Sequence, residues 1–287
     1  MSAVAFRGST GSTVRDLTDR DLPAVRELLE RDPVADVFVS SRIATCGLDP
    51  RRLGANVWGY ERAGELSALC YSGANLWPVQ ADVEAARAFA DRARKQGRRC
   101  SSIVGDAESV LELWRHLARS WGAAREIRDR QPLLAIDHGS LLPADPGVRR
   151  VRPDELDMLL PACVAMFTEE IGVRPDTGDG GALYRARVAE IIGQGRSLAR
   201  IDNGRVLFKA EIGAVTDRAC QIQGVWVDPQ LRGAGIGAAG MAAVVAECLR
   251  SVAPVVSLYV NDFNLPARRV YERVGFKQVG TFASVLF

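Results

Sequence analysis

The chain has 287 residues, 47% of them hydrophobic and 25% charged, a globular composition that excludes a disordered or fibrous protein. Thirty-seven basic residues against thirty-five acidic ones leave a net charge of +2, so no overall field invites nucleic acid or an acidic membrane. His116 and His138 are the only histidines, too few for a multi-histidine metal site, and no C-x-x-C pair occurs among the six cysteines.

At roughly 150 residues per domain, two domains are expected. The opening residues MSAVAFRGSTGSTVRD hold no apolar run long enough for a signal-peptide core, and no stretch approaches the ~18 apolar residues that span a bilayer. Cysteines scattered among apolar neighbours read as small core residues, and a reducing cytoplasm is the expected compartment.

In chain order, VRDLTDRDLPAVRELL from Val14 reads as a short strand, an acidic turn and an amphipathic helix. NVWGYERAG, ELSALCYSG and ANLWPVQ follow as strands, then a helix over 82–96, the strand RRCSSIVGD, a helix over 108–120 and the strand QPLLAID. The same order then begins again. VRPDELDMLLPACVAMF from Val151 repeats the opening, and SLARIDNGRVLFKAEIG forms a hairpin about Asp202-Asn203-Gly204. The strand ACQIQGVWV, a glycine-rich break, a helix over 236–250, the strand SVAPVVSLYV, a helix over 266–274 and a closing strand TFASVLF complete the second pass. Both halves thus carry a β-α-β-β-β-α-β-α-β order at an offset of roughly 140–150 residues, an α/β (α+β) fold repeated in tandem. The expected division is a flexible segment over 1–12, a first domain over 13–138, a Gly- and Pro-rich linker over 139–148 and a second domain over 149–287.

The segment Val225-Trp226-Val227-Asp228-Pro229-Gln230-Leu231-Arg232-Gly233-Ala234-Gly235-Ile236-Gly237 concentrates the chemistry. A strand ends, Asp-Pro turns the chain, and three glycines open a helix. Glycine permits positive φ and close backbone approach, while a helix start offers unpaired N–H groups and the positive end of its dipole. Such a segment cradles a phosphate or pyrophosphate, with Arg232 as a cation at the rim. It is not a P-loop, because Ala238 and Ala239 stand where Lys and Ser/Thr belong, nor a dinucleotide fingerprint, because G-x-G-x-G follows a meander of strands.

A second cluster, Asn261 to Phe276, reads NDFNLPARRVYERVGF. It resembles the N-x-x-A-x-x-x-Y-x-x-x-G-F pattern of the GNAT acetyltransferase superfamily, and the earlier segment resembles that family's R-x-x-G-x-G loop. The two lie in the family's order with a helix and a strand between them. The resemblance covers residues 149–287, while the first half shares only element order and its opening wording. It implies two tandem GNAT-like domains, each a mixed central sheet flanked by helices. It further implies an N-acetyltransferase with acetyl-CoA as donor substrate, a small-molecule or protein amine as acceptor, and no metal.

Residue by residue, the resemblance implies that Val225, Trp226 and Val227 run beside the pantetheine arm as an added strand, with a backbone N–H available to an oxyanion. Arg232, Gly233, Ala234, Gly235, Ile236, Gly237 and Ala238 would enclose the pyrophosphate. Asn264 would sit near the donor or cap its helix. Tyr271 would act as general acid toward the departing thiolate or simply pack its ring. The strand before the loop carries no carboxylate, so the general base moves to Glu211, or to Glu169 or Glu170. Glu211 shares a strand face with Lys209 and Gly213 and reads equally as a solvated partner of Lys209.

The first half departs from the pattern. Trp77-Pro78-Val79-Gln80-Ala81-Asp82 has no glycine cradle and puts an aspartate at the helix start, and aligning Trp121-Gly122 with Val274-Gly275 sets Ala118 opposite Tyr271. This half is expected to be a degenerate copy that binds no CoA productively and shapes the acceptor site. Mycothiol synthase, which also carries two GNAT-like halves, is a more specific relative of the pattern; a non-catalytic acyl-CoA sensor is the alternative of another class. Either a monomer or a homodimer suits a tandem arrangement.

Overall fold

The computed structural model describes residues 11–177 and 180–287, which fall into two compact units. Most of the expected flexible segment over 1–12 lies outside the described residues; the described chain enters its first strand at Ser12.

The first unit holds β1 (Ser12–Asp16), α1 (Leu22–Leu29), α2 (Val37–Cys46), α3 (Pro50–Leu53), β2 (Asn56–Arg62), β3 (Glu65–Ser72), β4 (Asn75–Val79), α4 (Val83–Gln96), β5 (Ser102–Asp106), α5 (Ala107–Trp121) and the start of β6 (Glu126–Ile136). Its sheet runs β1-β2-β3-β4-β5, antiparallel through β4 and parallel between β4 and β5. Asp82 and Asp106 accept amide hydrogen bonds from Ala85 and Ser109, capping α4 and α5. The apolar stripes of these helices, including Phe89, Leu113 and Leu117, pack on Trp58, Cys70, Leu76 and Ile103.

The second unit continues with the end of β6, then β7 (Val148–Arg150), α6 (Leu156–Ile171), α7 (Ala182–Gly193), β8 (Ser197–Asp202), β9 (Arg205–Val215), β10 (Cys220–Val227), α8 (Ile236–Ser251), β11 (Val256–Tyr259), α9 (Leu265–Val274) and the first residues of β12 (Lys277–Leu286). Its strand order is β6-β11-β10-β9-β8-β7. Strand alternation sends Phe208, Ala210 and Ile212 into a core with α8 and α9, whereas Lys209 and Glu211 turn toward α6. The Asp202-Asn203-Gly204 hairpin forms as expected, with Asn203 and Gly204 at positive φ.

Two strands stand elsewhere than the sequence order suggests. The closing strand expected to complete the second domain belongs from Gly280 onward to the first unit, where Phe282–Leu286 pairs antiparallel with β5. QPLLAID, expected to complete the first domain, contributes Leu133 to Ile136 as the partner of β11 in the second unit. Division at 139–148 takes no account of this exchange. The apolar pattern marks both segments as strands, but hydrophobicity does not say which edge a strand will complete. In the first unit Phe282, Ala283 and Val285 are buried, the Phe287 ring meets Trp114 and Trp121 edge-on, and Ser284 Oγ donates to Gln131 Oε1 at 2.6 Å.

α2, α3 and α7 were not foreseen. The sequence VFVSSRIATC of α2 is rich in β-branched residues, and α7 begins from Gly181 without a polar side-chain cap.

Candidate active site

The candidate site lies in the second unit, where two central strands separate. β10 and β11 are parallel neighbours only at Cys220 opposite Val256 and Gln221 opposite Ser257. Beyond Gln221, among the described residues, β10 keeps its ladder with β9 on one side and has no strand pairing on the other.

The ladder with β9 is interrupted as well. Gln223 faces Glu211 and Trp226 faces Lys209, so Gly224 and Val225 both stand against Ala210 in a β-bulge. Gly224 has φ of +59°, and a Cβ there would meet Met166 Cε at 3.1 Å, Glu211 Cδ at 3.2 Å and Lys209 Nζ at 3.2 Å. Glycine is required here for conformation and for space. A glycine inside a strand pattern is the sequence signal for such a bulge.

After Val227 the chain turns at Asp228, which accepts from the Gln230 amide at 3.0 Å and pairs with Arg205; that guanidinium lowers the Asp228 carboxyl below its ordinary range. Gly233 and Gly235 both have φ of +84° with open space where a Cβ would lie, and Gly235 is the N-cap of α8. Among the described residues, the amides of Gly233, Gly235, Ile236 and Gly237 have no backbone acceptor. Four donors at the positive end of a sixteen-residue helix, beside an open surface, fit a pyrophosphate. Gly237 lets the helix start approach the strand end, since a Cβ there would lie 3.2 Å from Val227 Cγ2.

Arg232 curls back over this loop. Its Nε donates to the Val227 carbonyl at 3.1 Å and its Nη2 to Glu169 Oε2 at 2.7 Å, while Trp226 Nε1 donates to Glu169 Oε1 at 3.2 Å. Glu169, near the end of α6, therefore ties Trp226 and Arg232 together at the mouth of the gap. All three are at least partly exposed, so these bonds are weakly held against a competing phosphate.

Asn264 caps α9, accepting from the Ala267 amide at 3.2 Å. Tyr271, two turns along the same helix, is 7% exposed and meets Phe276 edge-on at 5.9 Å between centroids. Burial pushes its phenol well above the ordinary tyrosine value, and the charge of Glu170 pushes the same way. The group stays protonated at neutral pH.

Glu211 is placed differently from the solvated partner of Lys209 that strand parity allowed. The pair exists, with Lys209 Nζ to Glu211 Oε1 at 2.6 Å, but Lys209 is fully buried and Glu211 is 6% exposed. Gln223 Nε2 lies 3.4 Å from Glu211 Oε2, and Cys163 Sγ 3.8 Å from Oε1. Burial drives the Cys163 thiol up to about 11. For Lys209 burial acts to lower the ammonium, but Glu211 and Cys163 outweigh it and the net direction is upward.

The family model described as Acetyltransferase (GNAT) family matches residues 175–276, and that of a domain of unknown function, DUF4081, matches residues 55–159. A mycothiol acetyltransferase from Brachybacterium faecium is 39% identical over 77 residues, 27% of this chain and 23% of that protein, so the match spans about a quarter of the relative's length. A GCN5-related N-acetyltransferase from Sphaerobacter thermophilus superposes with a TM-score of 0.56 at 18% identity, covering 95% of this chain and 94% of its own. A tandem GNAT protein from the clavulanic acid biosynthesis pathway gives 0.52 at 15%, covering 96% and 98%. At such identities the structural likeness is one of fold. The GNAT family match thus falls wholly within the second unit, and the fold of the chain as a whole is shared with a tandem GNAT protein.

Proposed function

We propose that the protein transfers an acetyl group from acetyl-CoA to a primary amine by direct attack, and that the second unit alone is competent. The observation that carries this reading is the conjunction, within one unit, of a glycine-opened helix start, a strand edge left free where β10 and β11 part, and a buried protonated tyrosine. In this reading the free edge of Val225, Trp226 and Val227 lies alongside the donor's amide-bearing arm, and the amides of Gly233, Gly235, Ile236 and Gly237 with Arg232 receive its pyrophosphate. Asn264 holds the start of α9 beside that arm.

In the reaction the amine nitrogen bonds to the thioester carbonyl carbon and the C–S bond breaks. Tyr271 supplies the proton to the thiolate, and no protein nucleophile intervenes. The amine must first lose its own proton. Glu211 Oε1 is engaged by the buried Lys209 ammonium, so the expected role of base passes in this reading to Glu170, whose charge reaches the Tyr271 phenol. Glu211 then acts on the geometry of β10.

Six unpaired cysteines accord with a reducing, cytoplasmic setting, and no helix among the described residues is long and apolar enough to cross a membrane. A second reading, mycothiol-acetyltransferase-like specificity, rests on the 77-residue match alone. Calorimetric titration with acetyl-CoA tests the main proposal: one site per chain is expected, followed by thiol release in an amine screen. Absence of binding would overturn it; two sites would overturn the single competent unit.

A further inference from the structure

The bulge in β10 rests on a buried charge. Lys209, with no exposed surface, donates from Nζ to the Gly224 carbonyl at 3.0 Å and to Glu211 Oε1 at 2.6 Å. The residues on either side of the bulge face these same two side chains: Gln223 stands opposite Glu211 and Trp226 opposite Lys209. The ammonium thus bridges the bulge from beneath, and its counter-ion is fixed in turn by Gln223 and Cys163.

A buried ion pair is rarely the most stable filling for its volume; apolar side chains often do as well or better. The other unit illustrates the apolar solution. There β4 pairs with β3 in unbroken register, Leu69 to Val79 through Ser72 to Leu76, with no bulge. The charged pair occurs under the strand that bulges, where the ammonium donates to the part-buried Gly224 carbonyl.

We infer that Lys209, anchored by Glu211, is a positioning residue: it holds the Gly224 carbonyl inward and thereby fixes the outward-facing edge of Val225, Trp226 and Val227 on which the acyl donor is to lie. The inference rests on the proposed donor site, but the clamp itself can be read without ligand. Apolar replacement at 209 takes the Lys209 donor from the Gly224 carbonyl and the counter-ion from the Glu211 carboxylate. Neutralising residue 211 as well relieves the stranded charge but restores no donor to the carbonyl.

The test uses the full chain as wild type, Lys209→Met and Lys209→Met/Glu211→Gln. Lys209→Met is expected to lower the melting temperature, and the double variant to recover most of that loss. Despite this recovery, hydrogen exchange of the 222–228 amides should be at least about tenfold faster than in wild type. Acetyl-CoA affinity should fall about tenfold or more, with a further loss in kcat at saturating donor. Wild-type exchange at 222–228 in the stable double variant would overturn the clamp. Unchanged affinity and kcat alongside faster exchange would overturn its link to the donor. If wild type fails to bind acetyl-CoA, the proposed function fails by itself, and the exchange result still decides whether Lys209 sets the strand. Should the double variant not fold, Lys209→Gln, which keeps a donor on a shorter chain, is read in the same exchange experiment.

Discussion

The two units part their central strands at equivalent places and then do opposite things with the gap. In each, a parallel pair is joined over only two residue positions: Asn75 and Leu76 with Ser102 and Ile103, and Cys220 and Gln221 with Val256 and Ser257. In the first unit Trp77 fills the space, its ring stacked on Phe38 at 4.6 Å and edge-on to Phe282 at 5.8 Å, and a Cβ on Gly105 would come within 3.2 Å of its Nε1. In the second unit β10 runs on through its bulge to Val227, and residues 228–235 form a loop before the helix. Residues 80–82 are all that separate β4 from α4, and Asp82 spends its own carboxylate on the helix start. A shared topology thus gives an open, glycine-lined helix start in one unit and packing in the other, the difference lying in a few side chains and one loop.

The sharpest way to break the contrast is to fill the open cradle. Gly235→Val places a β-branched side chain at φ of +84° and projects it into the open space proposed for the pyrophosphate. Acetyl-CoA affinity should fall at least about a hundredfold, equivalent to losing roughly 2.7 kcal/mol of binding. Calorimetry reads the loss directly, and a melting curve near that of wild type would confine it to the cradle. Retained affinity would mean that the donor lies elsewhere.

Tyr271→Phe comes next. The buried phenol should cost kcat about 10²–10³-fold with little change in donor affinity, because ring packing against Phe276 survives the substitution. Steady-state kinetics on a working amine distinguishes the roles: equal kcat in the two proteins would reduce Tyr271 to a packing residue.

Much of this contrast is legible in the sequence. The glycines at 233 and 235, the Tyr-x-x-x-Gly-Phe ending and the Asp82 substitution are all local chemical statements, and local statements survive folding. The identity of strand partners is not local. Nothing in TFASVLF says that it will pair with β5 rather than close the second domain, because both edges ask for the same alternating apolar side chains. The Lys209–Glu211 pair was legible as a pair, yet its burial depended on α6 lying above it, which residue spacing on β9 does not encode. Helices α2 and α7 were lost for want of strong caps and clean amphipathic stripes.

A smaller effect belongs to the first unit alone. Asp36 is buried, with Gln80 Nε2 donating to its Oδ2 at 3.0 Å. Burial raises the carboxyl to about 7, against the Gln80 hydrogen bond and with help from Asp32 and Asp106. The unfolded chain releases this proton near pH ~3.9, so between about pH 4 and 7 the native state binds more protons than the unfolded one. Stability contributed by this site is therefore fully present at low pH, falls as pH rises through that window and is flat above it. Asp36→Asn should melt higher than wild type at pH 8 by several degrees, with the advantage shrinking toward pH 4. Parallel profiles would remove Asp36 as their cause.

The smallest effect concerns the proposal that the first unit takes no donor, and whether one side chain or the architecture would exclude it. Asp82 Oδ1 accepts from the Ala85 amide at 2.9 Å, and Oδ2 meets Arg62 at 2.8 Å; these bonds lower the carboxyl below its ordinary range. Asp82→Ala removes the cap and the negative charge together, at a cost of about 1 kcal/mol or roughly 2–4 °C in melting temperature. The helix start would then be free to meet a phosphate. It still has no glycine before it, no loop long enough to wrap a pyrophosphate and no open gap, because Trp77 remains. Calorimetry should consequently give the wild-type acetyl-CoA stoichiometry and affinity. A second site appearing in Asp82→Ala would mean that a single carboxylate, rather than the plugged strands and missing loop, is what sets the first unit apart from the proposed donor site.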